Sequence, residues 1–292
     1  MKRALLALVA FSVSVPHTGF AAGDPLRSQQ WGWQKIHSQA AWKKTKGGGV
    51  RVAVVDTGID LEHPDLVDRL LPGRDFVEPG TNPQDRHGHG TLVAGIIGAT
   101  ADNSIGISGV APEVRLIPVR ALGADGRGDA GDVADAIDWS VQAGAEVINL
   151  SLVDESGGTT GIGGVFRDRR VENAISRAAS KGIVIVIAAG NDDEGGNAQT
   201  SYDATDPGVI VVGASTRADR RAAYSNYGSG LDILAPGGGS ASDPGESGCT
   251  VDNGIVSTWW SPGSSGPRYG ASCGTSMATA FVSGVAAMLV ER

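Results

Sequence analysis

The sequence has no excess of basic residues, only two cysteines and no apolar run long enough to cross a bilayer. A formal net charge of −8 over 292 residues argues against nucleic acid or an anionic membrane as the partner, because both bind basic surfaces. The apolar run at residues 4–15 spans 12 residues, and no second run of that length follows. A membrane-spanning helix needs about 20 residues, so we expect no membrane anchor.

The first 23 residues have the pattern of a secretory signal peptide. Lys2 and Arg3 precede the short apolar run, and a proline and several small residues follow it. Cleavage after Ala21 and cleavage after Gly23 both satisfy the small-residue rule. A buried N-terminal helix is the alternative interpretation, but the pattern favours export, so we expect a secreted protein.

The composition is that of a folded globular protein. Apolar residues make up 41% and charged residues 19%, and the 44 glycines imply many tight turns. In an exported protein the two cysteines, Cys249 and Cys273, indicate one disulfide, with two buried free thiols as the alternative.

Apolar runs alternate with helix-compatible segments after the signal peptide. The runs typical of buried strands are residues 50–55, 114–119, 146–152, 183–189 and 209–212, and the helical segments are 91–98, 132–143 and 171–180. This alternation predicts an α/β fold with a mostly parallel sheet and helices on both faces. No repeat or linker divides residues 24–292, so one domain is expected. The glycine-, serine- and proline-rich stretch 236–270 is predicted to be a long surface loop.

Three reactive side chains lie where an apolar segment meets a loop or a helix. Asp56 ends the first predicted strand, and a carboxylate fixed there is suited to orient a histidine. His89 opens an apolar helix and can act as a general base. Ser276 opens the last helix, beside free backbone N–H groups. Each also has a structural interpretation, as a helix cap or a surface histidine.

The order Asp, His, Ser along the chain is the subtilisin order. The segments VVDTGID, HGHGTLVAG and GTSMA, with INLSL and AAGN between them, resemble the motifs of the subtilisin family, most closely its thermitase-like secreted branch. The resemblance covers about residues 24–290. It implies a three-layer α/β fold and a monomeric, secreted serine endopeptidase acting on extended polypeptides.

The resemblance also implies a role for individual residues. Ser276 would be the nucleophile, His89 the general base and acid, and Asp56 the group that orients the imidazole. Asn191 would donate a hydrogen bond to the oxyanion, together with the backbone N–H of Ser276. His87, two positions before His89, is not assigned a catalytic role.

Two segments would pair with an extended substrate, one on each side. The predicted substrate-binding residues are Gly126, Arg127 and Gly128 on one side, Ser151 and Leu152 on the other, and Ala189 and Gly190 beside the oxyanion donor. Val153 stands where the family usually has glycine, so the pocket for the primary specificity residue is expected to be narrower.

Calcium is the implied structural partner. The side chains of Asp24, Asp65 and Asn103 would bind it, together with the backbone carbonyls of Thr100, Ile105 and Ile107. An ordinary polar loop is the alternative. A second site would use Asp75, Glu78 and Gln84, but Gly80 stands where a carboxylate is expected.

Other interpretations of the sequence are weaker or concern its ends. Residues 270–274 fit a nucleophile-elbow pattern, but that class needs a histidine after the serine, and all five histidines precede it. The non-enzyme alternative is an inactive or incomplete subtilisin-like fold that serves as a binding or scaffold module.

Because only 16 residues follow Ser276, we expect the C-terminal elements of the family to be truncated here.

Overall fold

The computed structural model describes most of the chain. The described residues are 23–152, 165–166, 168–192, 200, 202, 206–240, 249–263 and 268–292. Residues 1–22 of the predicted signal peptide and Val153 lie outside them, so the signal peptide and the effect of Val153 stay predictions.

Within the described residues, seven parallel strands form one sheet in the order β2-β3-β1-β4-β5-β6-β7. The strands are β1 Arg51–Asp56, β2 Arg74–Asp75, β3 Arg115–Arg120, β4 Val147–Leu150, β5 Val184–Ala188, β6 Val209–Ser215 and β7 Ile233–Pro236. The central strands are rich in valine and isoleucine because both of their faces are covered. The predicted fold class is confirmed, and β2 and β7 are additions to the predicted strands.

Strand β1 lies between β3 and β4. The chain therefore moves to one side of β1 when it forms β3 and to the other side when it forms β4. In an open parallel sheet, such a reversal leaves a crevice at the carboxyl ends of the two neighbouring strands. Asp56 is the last residue of β1, and Ser151 follows β4 directly.

Helices cover both faces of the sheet. They are α1 Trp31–Lys35, α2 Ser38–Ala41, α3 His89–Gly98, α4 Ala130–Gln142, α5 Arg169–Ala179 and α6 Thr275–Val290. Helices α3 and α6 share a core with Val52 and Val54, whereas α4 and α5 share a second core with Ala53 and Val55. Alternate residues of β1 thus point to opposite cores, as the period of a strand requires.

The prediction of a long surface loop over residues 236–270 is wrong for its second half. Strands β8 Ile255–Trp259 and β9 Arg268–Ser272 form an antiparallel hairpin, and every residue of β8 is buried. Strand β8 packs on α3, where Ser257 and Thr258 donate hydrogen bonds of 2.7 Å to the carbonyls of Leu92 and Thr91. Strand β8 is short and rich in β-branched residues, but the glycines and serines around it made the whole stretch resemble a loop.

The two cysteines are bonded to each other. The Cys249–Cys273 disulfide confirms the first of the two alternatives for these residues. It joins the segment before β8 to the end of β9, directly ahead of α6. Among the described residues, no helix has the length and apolar character needed to cross a bilayer.

The contact between α3 and β8 leads to a stability prediction. A Cβ atom at Gly95 would lie 2.2 Å from Thr258 Oγ1 and 2.5 Å from Ser257 Oγ. Both hydroxyls are held by α3 carbonyls, so we expect Gly95→Ala to destabilise the fold by about 1–3 kcal/mol through overpacking. Urea unfolding of a Ser276→Ala background, which prevents self-digestion, measures this.

Gly48→Ala is the matched control for that variant. Its Cβ would meet only side-chain carboxylates, those of Glu291 at 3.2 Å and Glu113 at 3.7 Å, and Gly48 is exposed. A change within roughly 0.5 kcal/mol is expected there. Equal unfolding midpoints for the two alanine variants would contradict tight packing of α3 on β8.

Candidate active site

Asp56 and His89 form a buried pair at the carboxyl end of β1. The Nδ1 atom of His89 lies 2.8 Å from Oδ1 and 3.0 Å from Oδ2 of Asp56. The exposed fraction is 6% for His89 and zero for Asp56. Asp56 Oδ1 also accepts a 2.7 Å hydrogen bond from the backbone N–H of Thr57. A carboxylate held in this way keeps the imidazole proton on Nδ1, so that Nε2 is the basic nitrogen.

Ser276 lies in the first turn of α6, next to the end of β4. Its hydroxyl donates to the carbonyl of Ser151 at 3.3 Å, and Ser151 Oγ donates to the carbonyl of Ser276 at 2.9 Å. Asn149, within β4, donates to Ser151 Oγ at 3.0 Å. Because β4 is paired with β1, Ser276 and the Asp56–His89 pair lie at the same edge of the sheet.

Asn191 follows β5 and is held by Thr275. Its Oδ1 accepts two 2.9 Å hydrogen bonds, from the backbone N–H and the hydroxyl of Thr275. Its Nδ2 is buried and has no hydrogen-bond partner among the described residues. A Cβ at Gly274 would lie 3.5 Å from that nitrogen, which places it beside the start of α6. An amide fixed at its oxygen thus leaves one donor available next to Ser276.

The segment around Asn191 depends on a glycine and on Asn226. Gly190 has a φ of +104°, and a Cβ there would lie 2.3 Å from Asn226 Nδ2. Asn226 donates its backbone N–H to the carbonyl of Gly190 at 3.0 Å, and its Oδ1 accepts from Asp192 N at 2.8 Å. Thr275 Oγ1 further accepts from Gly190 N at 3.3 Å. Ala189 is buried just ahead of this turn.

The two predicted substrate segments flank the end of β1. The segment with Gly126, Arg127 and Gly128 follows β3 and closes a turn in which Gly123 N donates to Arg127 O at 2.7 Å. A Cβ at Gly126 would lie 3.4 Å from His87 Nε2. On the other side Ser151 and Leu152 follow β4 and are buried. The strand predicted to reach Leu152 ends at Leu150, so these two residues lie beyond the ladder.

Asp85 is a buried carboxylate beside the candidate site that sequence reasoning missed. This fully buried carboxylate accepts hydrogen bonds from Thr57 Oγ1 at 2.9 Å and from the backbone N–H groups of His87 and Gly88 at 2.9 and 2.8 Å. It also accepts from the N–H and the hydroxyl of Thr91. Burial raises the pKa of Asp85, and the donors of Thr91, Gly88 and His87 oppose that rise. Asp85 therefore fastens the loop after Asp56 to the start of α3.

The family of the chain follows from comparison with known proteins. The sequence profile of the Subtilase family matches residues 47–292. The chain belongs to the subtilase family. It is thus a hydrolase of the serine-type endopeptidase class, as the predicted resemblance implied.

Individual relatives agree with this assignment. The thermophilic serine proteinase of Bacillus sp. (strain AK1) is 42% identical over 264 residues, covering 90% of this chain and 58% of that protein. Thermitase from Thermoactinomyces vulgaris is 38% identical over 274 residues, covering 94% of this chain and 86% of thermitase. The chain therefore spans little more than half of the first relative and most of the second.

A solved structure shows the same architecture. A protease from Pseudoalteromonas arctica PAMC 21717 superimposes with a TM-score of 0.77 at 34% identity, covering 92% of this chain and 86% of that one. This likeness supports the subtilisin-like three-layer fold.

The predicted calcium residues lie close together in this subtilase, but they form hydrogen bonds with one another. Asn103 bridges the two carboxylates, with its N–H on Asp24 Oδ1 at 3.0 Å and its Nδ2 on Asp65 Oδ1 at 2.8 Å. Ile107 N donates to Asp65 Oδ2 at 3.1 Å, and Ile105 N donates to Asn103 Oδ1 at 2.9 Å. Among the described residues, no group of three or more His, Cys, Asp or Glu is placed to hold a metal ion.

Two further contacts define this cluster. Arg27, which sequence reasoning missed, pairs with Asp24 at 2.8 Å, and Thr100 N donates to the carbonyl of Asp65 at 2.9 Å. Burial raises the pKa of Asp65 to about 6, and the neighbouring Asp24 adds to the rise. Two buried carboxylates and the nearby loop oxygens are ligands that a hard cation prefers. One of the carboxylates, that of Asp24, is already paired with the guanidinium of Arg27.

The second predicted calcium site, with Asp75, Glu78 and Gln84, does not fit a metal. Asp75 is fully buried against Arg120, whose NH1 lies 2.7 Å from Oδ2 and 3.7 Å from Glu78 Oε1. Arg86 pairs with the same Glu78 oxygen at 2.7 Å. Gln84 contacts Leu61 N and Asp85 O, among others. Two guanidinium groups thus neutralise the carboxylates that a cation would need.

The Asp85 cluster leads to a prediction about activity. Asp85→Asn replaces one acceptor oxygen by an NH₂ group that would face N–H donors, so the start of α3 should shift. We expect kcat/KM on a peptide p-nitroanilide to fall by about 10- to 100-fold, since small displacements of catalytic groups cost this much. Asp219→Asn, which changes an exposed carboxylate paired with Lys35, serves as the control. Equal kcat/KM for wild type and Asp85→Asn would contradict this role.

Proposed function

We propose that this chain is a secreted serine endopeptidase that hydrolyses extended polypeptides through Asp56, His89 and Ser276. The observation that carries the proposal is the buried Asp56–His89 pair, joined at Nδ1 by 2.8 and 3.0 Å contacts. A histidine oriented in this way has a basic Nε2 and gains an ion-pair partner when it accepts a proton. The similarity to thermitase supports the same activity.

The first half of the reaction forms an acyl-enzyme. Ser276 Oγ attacks the scissile carbonyl carbon while its proton moves to His89 Nε2. The imidazolium then gives that proton to the leaving amine, and the C–N bond breaks. The serine hydroxyl gives up a long 3.3 Å hydrogen bond to Ser151 O when it transfers its proton.

The second half returns the enzyme to its starting state. Water takes the place of the departed amine, gives a proton to His89 and attacks the ester carbonyl. The collapse of this intermediate releases the acid product, and the proton returns to Ser276 Oγ. Asp56 stays ionised throughout and stabilises the imidazolium.

Two donors would stabilise the oxyanion in both halves. One is Asn191 Nδ2, which is buried without a partner among the described residues and is fixed through Thr275. The other is the backbone N–H of Ser276, which lies in the first turn of α6 and so has no acceptor within the helix. Donors preorganised in this way stabilise developing negative charge without a cost of reorganisation.

The substrate would bind as an extended strand. The segment 126–128 after β3 and the pair Ser151–Leu152 after β4 offer backbone on both sides of the crevice. Main-chain pairing of this kind recognises unfolded or loop polypeptide with little dependence on sequence. Export through the signal peptide at residues 1–23 would bring the enzyme to such substrates outside the cytoplasm.

Calcium would bind at the Asp24–Asp65–Asn103 cluster as a structural cation with no part in the chemistry. Its charge would offset the two adjacent carboxylates and so oppose the rise in the pKa of Asp65 that burial causes. Asn103 and the loop carbonyls of Thr100, Ile105 and Ile107 would supply the neutral oxygen ligands.

Labelling with a fluorophosphonate tests the assignment of the nucleophile. We expect wild-type protein to be labelled at Ser276, and Ser276→Ala to lose both labelling and peptide hydrolysis. The control is Ser283→Ala, two turns later in α6, where a buried serine donates to Asn149 Oδ1 at 2.9 Å. Labelling that persists in folded Ser276→Ala would assign the nucleophile elsewhere. A folded wild type that is not labelled would instead favour the binding or scaffold alternative.

Removal of calcium tests the structural cation. We expect chelation to lower the Tm of the Ser276→Ala protein by several degrees, because a ligand that binds only the folded state stabilises it by mass action. Asp65→Asn should abolish this calcium-dependent shift, while Asp219→Asn, at a surface carboxylate, should keep it. An identical Tm in chelator and in millimolar calcium would rule out the proposed site.

A further inference from the structure

Asn149 is a polar residue in the middle strand of the sheet. Strand β4 is paired with β1 and with β5, and the other residues of β4, Val147, Ile148 and Leu150, are apolar. The side chain of Asn149 is fully buried. An amide in such a place loses its hydration, which destabilises the fold unless hydrogen bonds within the protein replace it. Departures of this kind from an apolar pattern are expected at functional sites.

Three hydrogen bonds connect Asn149 with α6. Its Oδ1 accepts from Ser283 Oγ at 2.9 Å, and its Nδ2 donates to Ser151 Oγ at 3.0 Å. Ser151 Oγ in turn donates to the carbonyl of Ser276 at 2.9 Å. None of these four residues is more than 1% exposed, so the bonds form in a dry environment, where hydrogen bonds strengthen one another.

The direction of the bonds follows from the hydrogens available. An amide NH₂ group can only donate, and a serine hydroxyl has a single hydrogen to donate. Because Ser151 Oγ accepts from Asn149, its own hydrogen is left for the carbonyl of Ser276, which can only accept. Asn149 therefore determines where the Ser151 hydroxyl points, and it directs that hydroxyl at the backbone of the proposed nucleophile.

Ser151 and Ser276 hold each other through two contacts. The side chain of Ser151 donates to the carbonyl of Ser276, and the side chain of Ser276 donates to the carbonyl of Ser151 at 3.3 Å. The first contact restrains the backbone of Ser276, whose N–H is one of the two proposed oxyanion donors. The second restrains the hydroxyl before it reacts. The start of α6 is thus oriented from β4 as well as from Asn191.

We propose that Asn149 is a positioning residue for the nucleophile and acts through the hydroxyl of Ser151. The proposal rests on the endopeptidase function proposed above. Asn149 lies inside the sheet and would not touch the substrate, so its effect should appear in the rate of the chemical step and not in substrate binding. Ser283 contacts only the amide oxygen and leaves both bonds beyond it in place, so Ser283→Ala should still be labelled at Ser276.

Two substitutions of Asn149 test the direction of the bonds. Asn149→Asp keeps the shape of the side chain but can accept from Ser151, so the hydroxyl would turn away from the carbonyl of Ser276. We expect kcat on a peptide p-nitroanilide to fall by about 10- to 100-fold, as small displacements of catalytic groups cause, with KM nearly unchanged. Asn149→Ala offers the hydroxyl no competing acceptor, so its kcat should fall less.

A double-mutant cycle separates positioning from stability. Ser151→Ala removes the hydroxyl but keeps the backbone carbonyl, and kcat should fall about as far as in Asn149→Asp. Because Asn149 acts through that hydroxyl, adding Asn149→Ala to Ser151→Ala should lower kcat no further, whereas independent effects would multiply. The matched control is Ser140→Ala, at a fully buried serine in α4 that donates to Ala136 O at 2.7 Å. It should lower the Tm and leave kcat unchanged.

The outcomes distinguish the two proposals. Folded Asn149→Asp and Ser151→Ala proteins with the kcat of the wild type overturn the positioning role and leave the proposed endopeptidase intact. Losses of kcat that multiply in the double variant also overturn it. If Asn149→Asp does not fold, Ser151→Ala and the double variant decide. A wild-type protein that neither reacts with a fluorophosphonate nor hydrolyses the peptide overturns both proposals.

Discussion

The whole candidate site depends on the place of β1 between β3 and β4. Parallel strands put their carboxyl ends at one edge, and the reversal of direction at β1 opens a crevice there. Asp56 ends β1, Ser151 follows β4, and the substrate segment 126–128 follows β3. Residues far apart in the chain thus reach one place because the strands before them end at the same edge. The short loops that carry the reactive residues then need only to be held in position.

Those loops are held by buried polar side chains rather than by packing alone. Asp85 fastens the loop after Asp56 to the start of α3, and Thr275 fastens Asn191 to the start of α6. In each case one group accepts or donates several hydrogen bonds in a dry environment, where an unpaired polar group would be costly. Asn191 Nδ2, which has no partner in the part of the chain that the structure describes, is the group that the proposed reaction uses.

Local sequence signals account for what could be predicted and for what could not. Asp56, His89 and Ser276 each follow or open an apolar run, so motif and pattern located them together with the parallel sheet. Asp85 has no such signal, because its five donors come from Thr57 and from residues 87–91 only after the two loops meet. Strand β8 was missed because its stability comes from burial against α3, while its neighbours in sequence resemble a loop. The burial of Arg120 also could not be predicted from the sequence, since it depends on the ion pair with Asp75 that forms only in the fold.

Helices α3 and α6 are apolar on all sides and nearly every one of their residues is buried, apart from the C-terminal end of α6. The proposed base and nucleophile therefore lie on the two most protected helices, not on mobile surface loops. Elements of this kind open only when the whole domain opens. Partial unfolding at the periphery would thus leave the reactive centre assembled. On heating, the reactive centre would be lost only when the core itself unfolds.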